Sequence, residues 1–479
     1  MKTKKAPSNS SSMRGEFVIT RPSLLTKAMR RVGSELSSII GYRIPILVVL
    51  LFAISKPAFS QESDSSKSFT PLLNLWSQQT LTGDWGGART RLAEKWGITV
   101  NGIWDNQYFG SPNTGNTKVK TGEDNWSRIR GTLDIDMAKL AHIKGLSLHI
   151  TATLNEGADI GSKMGSLVGA TGIDTINHQL RLDSWWAKET LFDNKLSLYA
   201  GQISGADFFG YPDDYFHFTT LGPFYAPLAL YNTFESFDPL TTPAAMVEVM
   251  PTKHFRYRTM AQSITEGNPS DPNAVLNFYN WYNNPSGTST QIKDGVVWNN
   301  EVAYLWATGQ AQFEFSYSGA RAYTQWSGNA GNGTLVTTPG FQPDSKAGNE
   351  DYYVIAKQTF YRPKGGSGRG VDLRGMYVWG PPDKGVLPYN RQLVLTAEFN
   401  GLLPGRPKDS VNFSFNYLGI RGPLQTPTFK SEKVYEWDYV LHVTPWLQWM
   451  PDLQVHQDIG ANPLKGTGVI IGMRSLITF

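Results

Sequence analysis

The sequence predicts an all-β protein, a closed antiparallel barrel that crosses a membrane with its strands. Three observations predict it. Along much of the chain, apolar and polar residues alternate in segments of about 8 to 11 residues, the length a tilted strand needs to cross an outer membrane. Beyond residue 60 no apolar run is long enough for a transmembrane helix, and the mean hydropathy of −0.31 is too low for a helical membrane protein. The composition, with 47 Gly, 28 Pro, 13% aromatic residues and no Cys, supplies many turns and excludes a disulfide scaffold, thiolate metal sites and a lipidated N-terminal cysteine.

At the N-terminus, residues 1–43 carry nine Lys/Arg against Glu16 and Glu35. The apolar run "IPILVVLLFAIS" (44–55) follows, then "AFS", with the small residues Ala58 and Ser60 placed for cleavage before Gln61. This is the pattern of a secretory signal peptide, and the run is too short to span a bilayer comfortably; an uncleaved anchor is the alternative. The long basic stretch leaves Met13 and Met29 as further candidate starts. Residues 1–60 hold ten of the 44 Lys/Arg and two of the 40 acids, so removing them changes the net charge from +4 to −4. The basicity belongs to the leader and carries no implication of nucleic-acid binding. The expected organisation is a signal peptide at 1–60, a periplasmic segment at 61–97 and the barrel at 98–479. Within the second part, Arg89 to Trp96 reads as a short amphipathic helix, begun near Gly86-Gly87 and stopped by Gly97. It is expected at the periplasmic end or plugging the mouth.

The strands are read from period two, which sends alternate side chains to opposite faces. "GTLDIDMAKL" sets Leu133, Ile135 and Met137 against Thr132, Asp134 and Asp136. "LSLHITATL" sets Leu146, Leu148, Ile150, Ala152 and Leu154 against Ser147, His149, Thr151 and Thr153. The same pattern recurs in "AQFEFSYSG", in "LVLTAEFNG" with Val394 as an exception, in "VNFSFNYLG" and in "VYEWDYVLHV". A soluble sandwich alternates too, but its strands are nearer 5 or 6 residues. Tyr, Trp and Phe near the segment ends suit the aromatic girdles of a membrane barrel.

The last segment, "VIIGMRSLITF", puts Val469, Ile471, Met473, Ile477 and Phe479 outward and Gly472, Arg474 and Thr478 inward. The pattern is imperfect, since Ser475 falls outward and Ile470 and Leu476 inward. A strand edge in lipid would leave backbone groups unsatisfied, so this strand is expected to pair with the first and close the barrel.

Three stretches carry a resemblance. "LTGDWGGARTRLAEKWGITVNG" (81–102) and "VYEWDYVLHVTPWLQWMPDLQVHQDIGANP" (434–463) resemble the opening and closing motifs of the carbohydrate-selective porin family typified by OprB. "LRLDSWWAKETLFDNKLSLYAGQISGADFFG" looks like that family's central hairpin, with Gly201-Gln202 where Gly-Lys is usual. The long N-terminal extension departs from the family. The resemblance implies a 16-stranded barrel of the Gram-negative outer membrane through which mono- and small oligosaccharides diffuse. It also implies assembly machinery that reads the last strand, ending at Phe479, and is compatible with a homotrimer or a monomer. Residues 61–479 allow roughly 26 per strand and connection for 16 strands, and 18 strands fit as well.

Turn-rich stretches expected as extracellular loops are 111–125, 155–177, 205–243, 265–293, 325–349 and 380–390. The 205–243 stretch, "GADFFGYPDDYFHFTTLGPFYAPLALYNTFESFDPLTTP", is too aromatic for an ordinary solvent loop. It reads either as a loop folded into the barrel or as two poorly patterned strands with their turn. A pore selects by its width and by its lining. Sugars need donors and acceptors for hydroxyls and rings for C–H faces, so charged side chains and Trp on inward parity are candidates. Those candidates are Arg128, Arg130 and Asp134 on one strand, Glu156 near the mouth of a loop, and Arg181, Asp183 and Trp185 on another. For any one of them, a solvated charge on the wall is the alternative.

No catalytic constellation is assembled. The seven His show no H-x-x-x-H or H-E-x-x-H spacing, and neither G-x-S-x-G nor a P-loop is present. No metal or cofactor is expected. "DIDM" and "YPDD" offer the paired carboxylates that a glycoside hydrolase would need, but nothing places them about one substrate. The reading is of a non-enzyme, with a general or ion-selective porin as the second alternative.

Overall fold

The computed structural model describes residues 76–172, 180–210, 217–223, 233, 236, 240–264, 286–292, 295–319, 322–328, 331–332, 343–363, 369–421 and 429–479. The signal-peptide reading of 1–60 lies outside the described residues.

Sixteen strands form one closed antiparallel barrel, and three short ones form a separate sheet. The first nine are β1 (Ile98–Ser111), β2 (Gly122–Asp136), β3 (Leu146–Gly157), β4 (Arg181–Leu191), β5 (Leu196–Ile203), β6 (Thr242–Thr252), β7 (Phe255–Ser263), β8 (Val296–Trp306) and β9 (Gly309–Ser318). The separate sheet comprises β10 (Ala322–Gly328), β11 (Gly331–Asn332) and β12 (Pro343–Lys346). The barrel continues with β13 (Asn349–Tyr361), β14 (Gly370–Trp379), β15 (Tyr389–Asn400), β16 (Ser410–Ile420), β17 (Ser431–His442), β18 (Leu447–Gln457) and β19 (Thr467–Thr478). Each barrel strand pairs with its chain neighbours, β9 pairs with β13, and β1 closes on β19 from Ile103↔Thr478 to Gly110↔Ile471. The count is therefore 16 rather than 18. The 325–349 stretch, expected as a plain loop, contains parts of β10 and all of β11 and β12; strands this short fall below what a period-two reading detects.

Paired residues share a face, so the two sides of the wall can be read along the register. Ile129 is 52% exposed and pairs with Trp104 and Leu154, while its neighbours Arg128 and Arg130 turn inward. On β19, Ile471 is 54% exposed while Arg474 is buried. Rings stack on the outer face, as Tyr352 on Trp379 at 5.6 Å and Tyr435 on Trp437 at 6.3 Å. Exposed apolar side chains outside and buried polar ones such as Gln107, Asn299, Glu314 and Gln392 inside are the inverse of a soluble protein, as a lipid-facing wall around a wet lumen requires.

Short turns join the strands at the end where β1 begins, and the long connections lie at the other, so the latter is the extracellular end. The N-terminal helix α1 (Ala88–Arg91) runs on into one wider turn, Leu92–Trp96. Gly97 stops it in the left-handed region at φ 68°, and a Cβ there would meet Asp136 O at 2.8 Å. This helix lies beside β1 and the β2–β3 turn helix α2 (Met137–Ala141), to which Lys139 ties it through Ala93 O at 3.1 Å. Arg89 reaches the seam itself, donating to Val100 O at 2.5 Å and to Phe479 O at 2.9 Å. Leu81 N donates to Thr478 O at 2.8 Å. The segment clasps the junction of β1 and β19 from the periplasmic side.

Candidate functional site

One patch of the lumen wall is built by β2, β3 and β4. The register aligns Asp105, Arg128 and Asn155 in one row and Ile103, Arg130, Thr153 and Arg181 in the next. Arg130 pairs with Asp183 at 3.1 Å, and Thr153 Oγ1 donates to the same carboxylate oxygen at 2.8 Å. Asp183 is fully buried while 15% of the Arg130 side chain faces the lumen. Arg128 and Arg181 are buried beside them. Across the seam, Arg474 grips Asp105 through two bonds at 2.9 and 2.5 Å. Arg128, Arg130 and Arg181 thus share this patch with Asp183.

Two of the sequence-predicted residues lie elsewhere. Ile150 pairs with Trp185 and Ala152 with Leu182, so Asp183 and Ser184 together oppose Thr151. This bulge shifts the parity of β4 by one residue. Arg181 and Asp183 remain inward, but Trp185 joins Ile150 on the outer parity, its indole N–H donating to Gly287 O at 3.1 Å. Trp186 takes the inward place and stacks on His149 at 4.6 Å. His149 in turn meets Asp134 at 2.6 Å, so Asp134 is inward, toward the periplasmic end. Glu156 pairs with Ser127, on the parity of Ile129 and Leu154, and stands exposed at the extracellular rim. The count that sends Leu154 outward sends Glu156 outward with it.

Two long connections fold into the barrel. The 158–172 segment contains α3 (Ile160–Met164), capped by Asp159, which accepts from Gly161 N at 3.2 Å and Ser162 N at 2.8 Å. Burial pushes the Asp159 carboxyl above its usual range, against the pull of those N–H groups. The segment is lashed to β17 by Glu432, which accepts from Leu167 N at 2.8 Å, and to β18 by Gln454, which donates to Ala170 O at 2.9 Å.

The second segment, 217–223, rests on the same wall. Glu436 accepts from Thr219 N at 2.5 Å and Thr220 N at 3.1 Å, and from both hydroxyls. Glu398 meets His217 at 2.8 Å, Asn416 donates to Leu221 O at 2.9 Å, and Arg374 donates to Pro223 O at 2.7 Å. The two segments also bond each other, Leu221 N to Gly169 O at 3.1 Å and Gly172 N to Thr219 O at 2.6 Å. Of the two readings of the 205–243 stretch, the inward loop is the one observed for 205–210 and 217–223. Its first part holds Asp207, where confinement in the lumen raises the carboxyl while Arg130 and His149 pull it down.

The family model described as carbohydrate-selective porin, OprB family, matches residues 121–479. The chain belongs to that family. Porin B of Pseudomonas aeruginosa is 21% identical over 459 residues, covering 90% of this chain and 96% of that protein. A high-pH structure of Pseudomonas putida OprB matches with a TM-score of 0.73 at 18% identity, over 84% of this chain and 99% of that one. The low-pH structure of the same protein matches with a TM-score of 0.53 at 16% identity, over the same shares. The OprB-family fold is thus the 16-stranded barrel described above.

Within this OprB-family barrel, sequence reasoning missed Trp186, Asp207, Glu432, Glu436, Asp105 and Asp452. Trp186 was hidden by the bulge. The carboxylates carried a usable signal, since Glu432, Glu436 and Asp438 share one parity on β17. The role of Glu432 and Glu436 as acceptors for loops more than 200 residues away carries no sequence mark.

Proposed function

We propose that this porin passes mono- and small oligosaccharides across the bacterial outer membrane by passive diffusion, selecting them at a constriction lined by Arg128, Arg130, Arg181 and Asp183 on the wall and Asp207 on the inward loop. The observation that carries this reading is the Arg130–Asp183 pair at 3.1 Å, partly open to the lumen, with the inward loop's Asp207 under the influence of both charges. Guanidinium and carboxylate groups make charge-assisted hydrogen bonds to hydroxyls. Paired with each other, they offer a neutral sugar both donors and acceptors without a net charge to hold a counter-ion in its place. Trp186 and Asp134 with His149 provide a ring face and polar edges below this level. Binding at each level has to be weak enough to release the solute. The last strand, ending at Phe479, is the segment offered to the outer-membrane assembly machinery.

Liposome swelling with a panel of mono- and disaccharides tests the reading. Wild-type protein admits sugars in a size-graded order that differs from that of uncharged polymers of equal size. Arg130→Ala changes the order among sugars. Equal flux for sugars and polymers overturns carbohydrate selection, and an unchanged order in Arg130→Ala removes that residue from the constriction.

A further inference from the structure

The carboxylate wall under the inward loop holds more negative charge than the loop's donors account for. Asp438 and Asp452 stand directly opposite each other on β17 and β18, an arrangement in which like charges repel. Glu436 lies two residues along on the same face, and oxygens of the three carboxylates all fall within 4.8 Å of one another. All three residues are buried. Glu436 and Asp452 accept from Thr219, and Asp452 accepts from Gln454 at 2.9 Å, but no donor from the loop or the wall reaches Asp438, whose close partner is the facing carboxylate of Asp452. Arg474 on the adjoining strand acts on Asp438 through its charge, while two of its hydrogen bonds go to Asp105.

A second residue, outside the triad, has the same deficit. Asn412 on β16 is directly opposite Asp438 and 1% exposed. Its amide nitrogen donates to His217 O at 3.3 Å, and its side-chain carbonyl oxygen is buried without a partner. Asn412, Asp438 and Asp452 thus lie in one row across three strands, with oxygen acceptors that meet no donor at two of its positions. An isolated buried carboxylate is strongly disfavoured unless a positive charge compensates it.

We propose that this row is a binding site for a hard divalent cation of the calcium class. Asp438 and Asp452 are its anionic ligands, with Glu436 and the Asn412 carbonyl completing an oxygen-only set. Carboxylate and amide oxygens in an irregular arrangement suit calcium, whereas magnesium demands a more regular octahedron. The ion neutralises the row and, through Glu436 and Asp452, braces the Thr219–Thr220 contact that fixes the inward loop. The site does not depend on which solute the pore selects.

The test uses the full-length chain refolded into detergent from lipid-free inclusion bodies, so that no lipopolysaccharide carries calcium into the assay. After treatment with a chelator, calorimetric titration with calcium chloride is expected to show one site per barrel, with magnesium chloride a poor competitor. Calcium is also expected to raise the thermal midpoint. Asp438→Asn lowers the affinity by about a hundredfold and Asn412→Ala by roughly tenfold, the range found when groups around a metal are removed. Removing a charge from the row relieves repulsion, so the variants are expected to fold, which heat-modifiable migration in gels reports. No calcium uptake and no calcium-dependent midpoint in the wild type would mean that Asp438 and Asp452 share a proton instead, and would overturn the site. Equal uptake by wild type and Asp438→Asn would assign the ion to another place and overturn it as well.

Discussion

On β2–β4 the buried charges answer one another: Arg130 meets Asp183, and Thr153 supports the same carboxylate. On β15–β18 they answer the loop: Glu398, Glu432 and Glu436 accept from His217, Leu167, Thr219 and Thr220. The first wall carries the arginines and keeps part of Arg130 in the lumen. The second is anionic and covered. A solute meets the first directly and feels the second only through the loop that the second holds in place. Buried charge in a pore therefore has two separable uses, and residue type alone does not distinguish them.

The largest effect is expected from unlatching the loop. Glu436→Ala removes the acceptor of two backbone N–H groups and two hydroxyls, and each charge-assisted bond to such a group is worth about 1.5–3 kcal/mol. The 217–223 segment should leave the wall, raising single-channel conductance and flattening discrimination among sugars. Conductance equal to the wild type would show that the carboxylate wall does not set the pore's width. A smaller effect is expected on the arginine side, where adjacent tryptophans make a paired control. Trp186→Ala should weaken block of ion current by sugars while leaving conductance close to the wild type. Trp185→Ala, one residue away on the outer parity, should leave both unchanged. Identical behaviour of the two variants would contradict the bulge at Asp183–Ser184.

The smallest effect belongs to a carboxylate outside both walls. Asp409 lies in the β15–β16 turn and accepts from Arg406 at 2.6 Å, Tyr439 at 2.5 Å and His442 N at 3.0 Å. Burial alone would raise its carboxyl, but these donors together hold it below the usual range. Its contribution is present above the unfolded carboxylate value and is lost as pH falls through the lower folded one. Asp409→Asn should destabilise by about 1 kcal/mol at neutral pH, since Arg406 is largely solvated, and by nothing at strongly acid pH. Denaturant unfolding across that range measures it. A difference that persists in acid would mean that the turn is held by something other than the ionised carboxylate.

The strands were legible because lipid enforces alternation: a wall residue such as Ile129 must be apolar where Arg128 and Arg130 need not be. The inward loop was legible from the aromatic density of 205–243, since Phe209 and Phe218 could not be left in solvent. Parity failed where geometry added a residue. One bulge moved Trp185 out and Trp186 in, and nothing in "LDSWWAK" announces it. Parity held at the end of β3, where Glu156 continues the outer count of Leu154; its place near a loop mouth, not its parity, makes it a candidate. The Asn412–Asp438–Asp452 row could not be read at all, because its members come from three strands and meet only through register.

The inward loop offers the wall mostly backbone groups and two threonines, while the charged partners that hold it belong mainly to the strands. Calibre is thus inherited from the scaffold, and the inserted segment is closer to a gasket than to a gate. Moved into another barrel without the acidic strands behind it, the same peptide would carry no aperture with it.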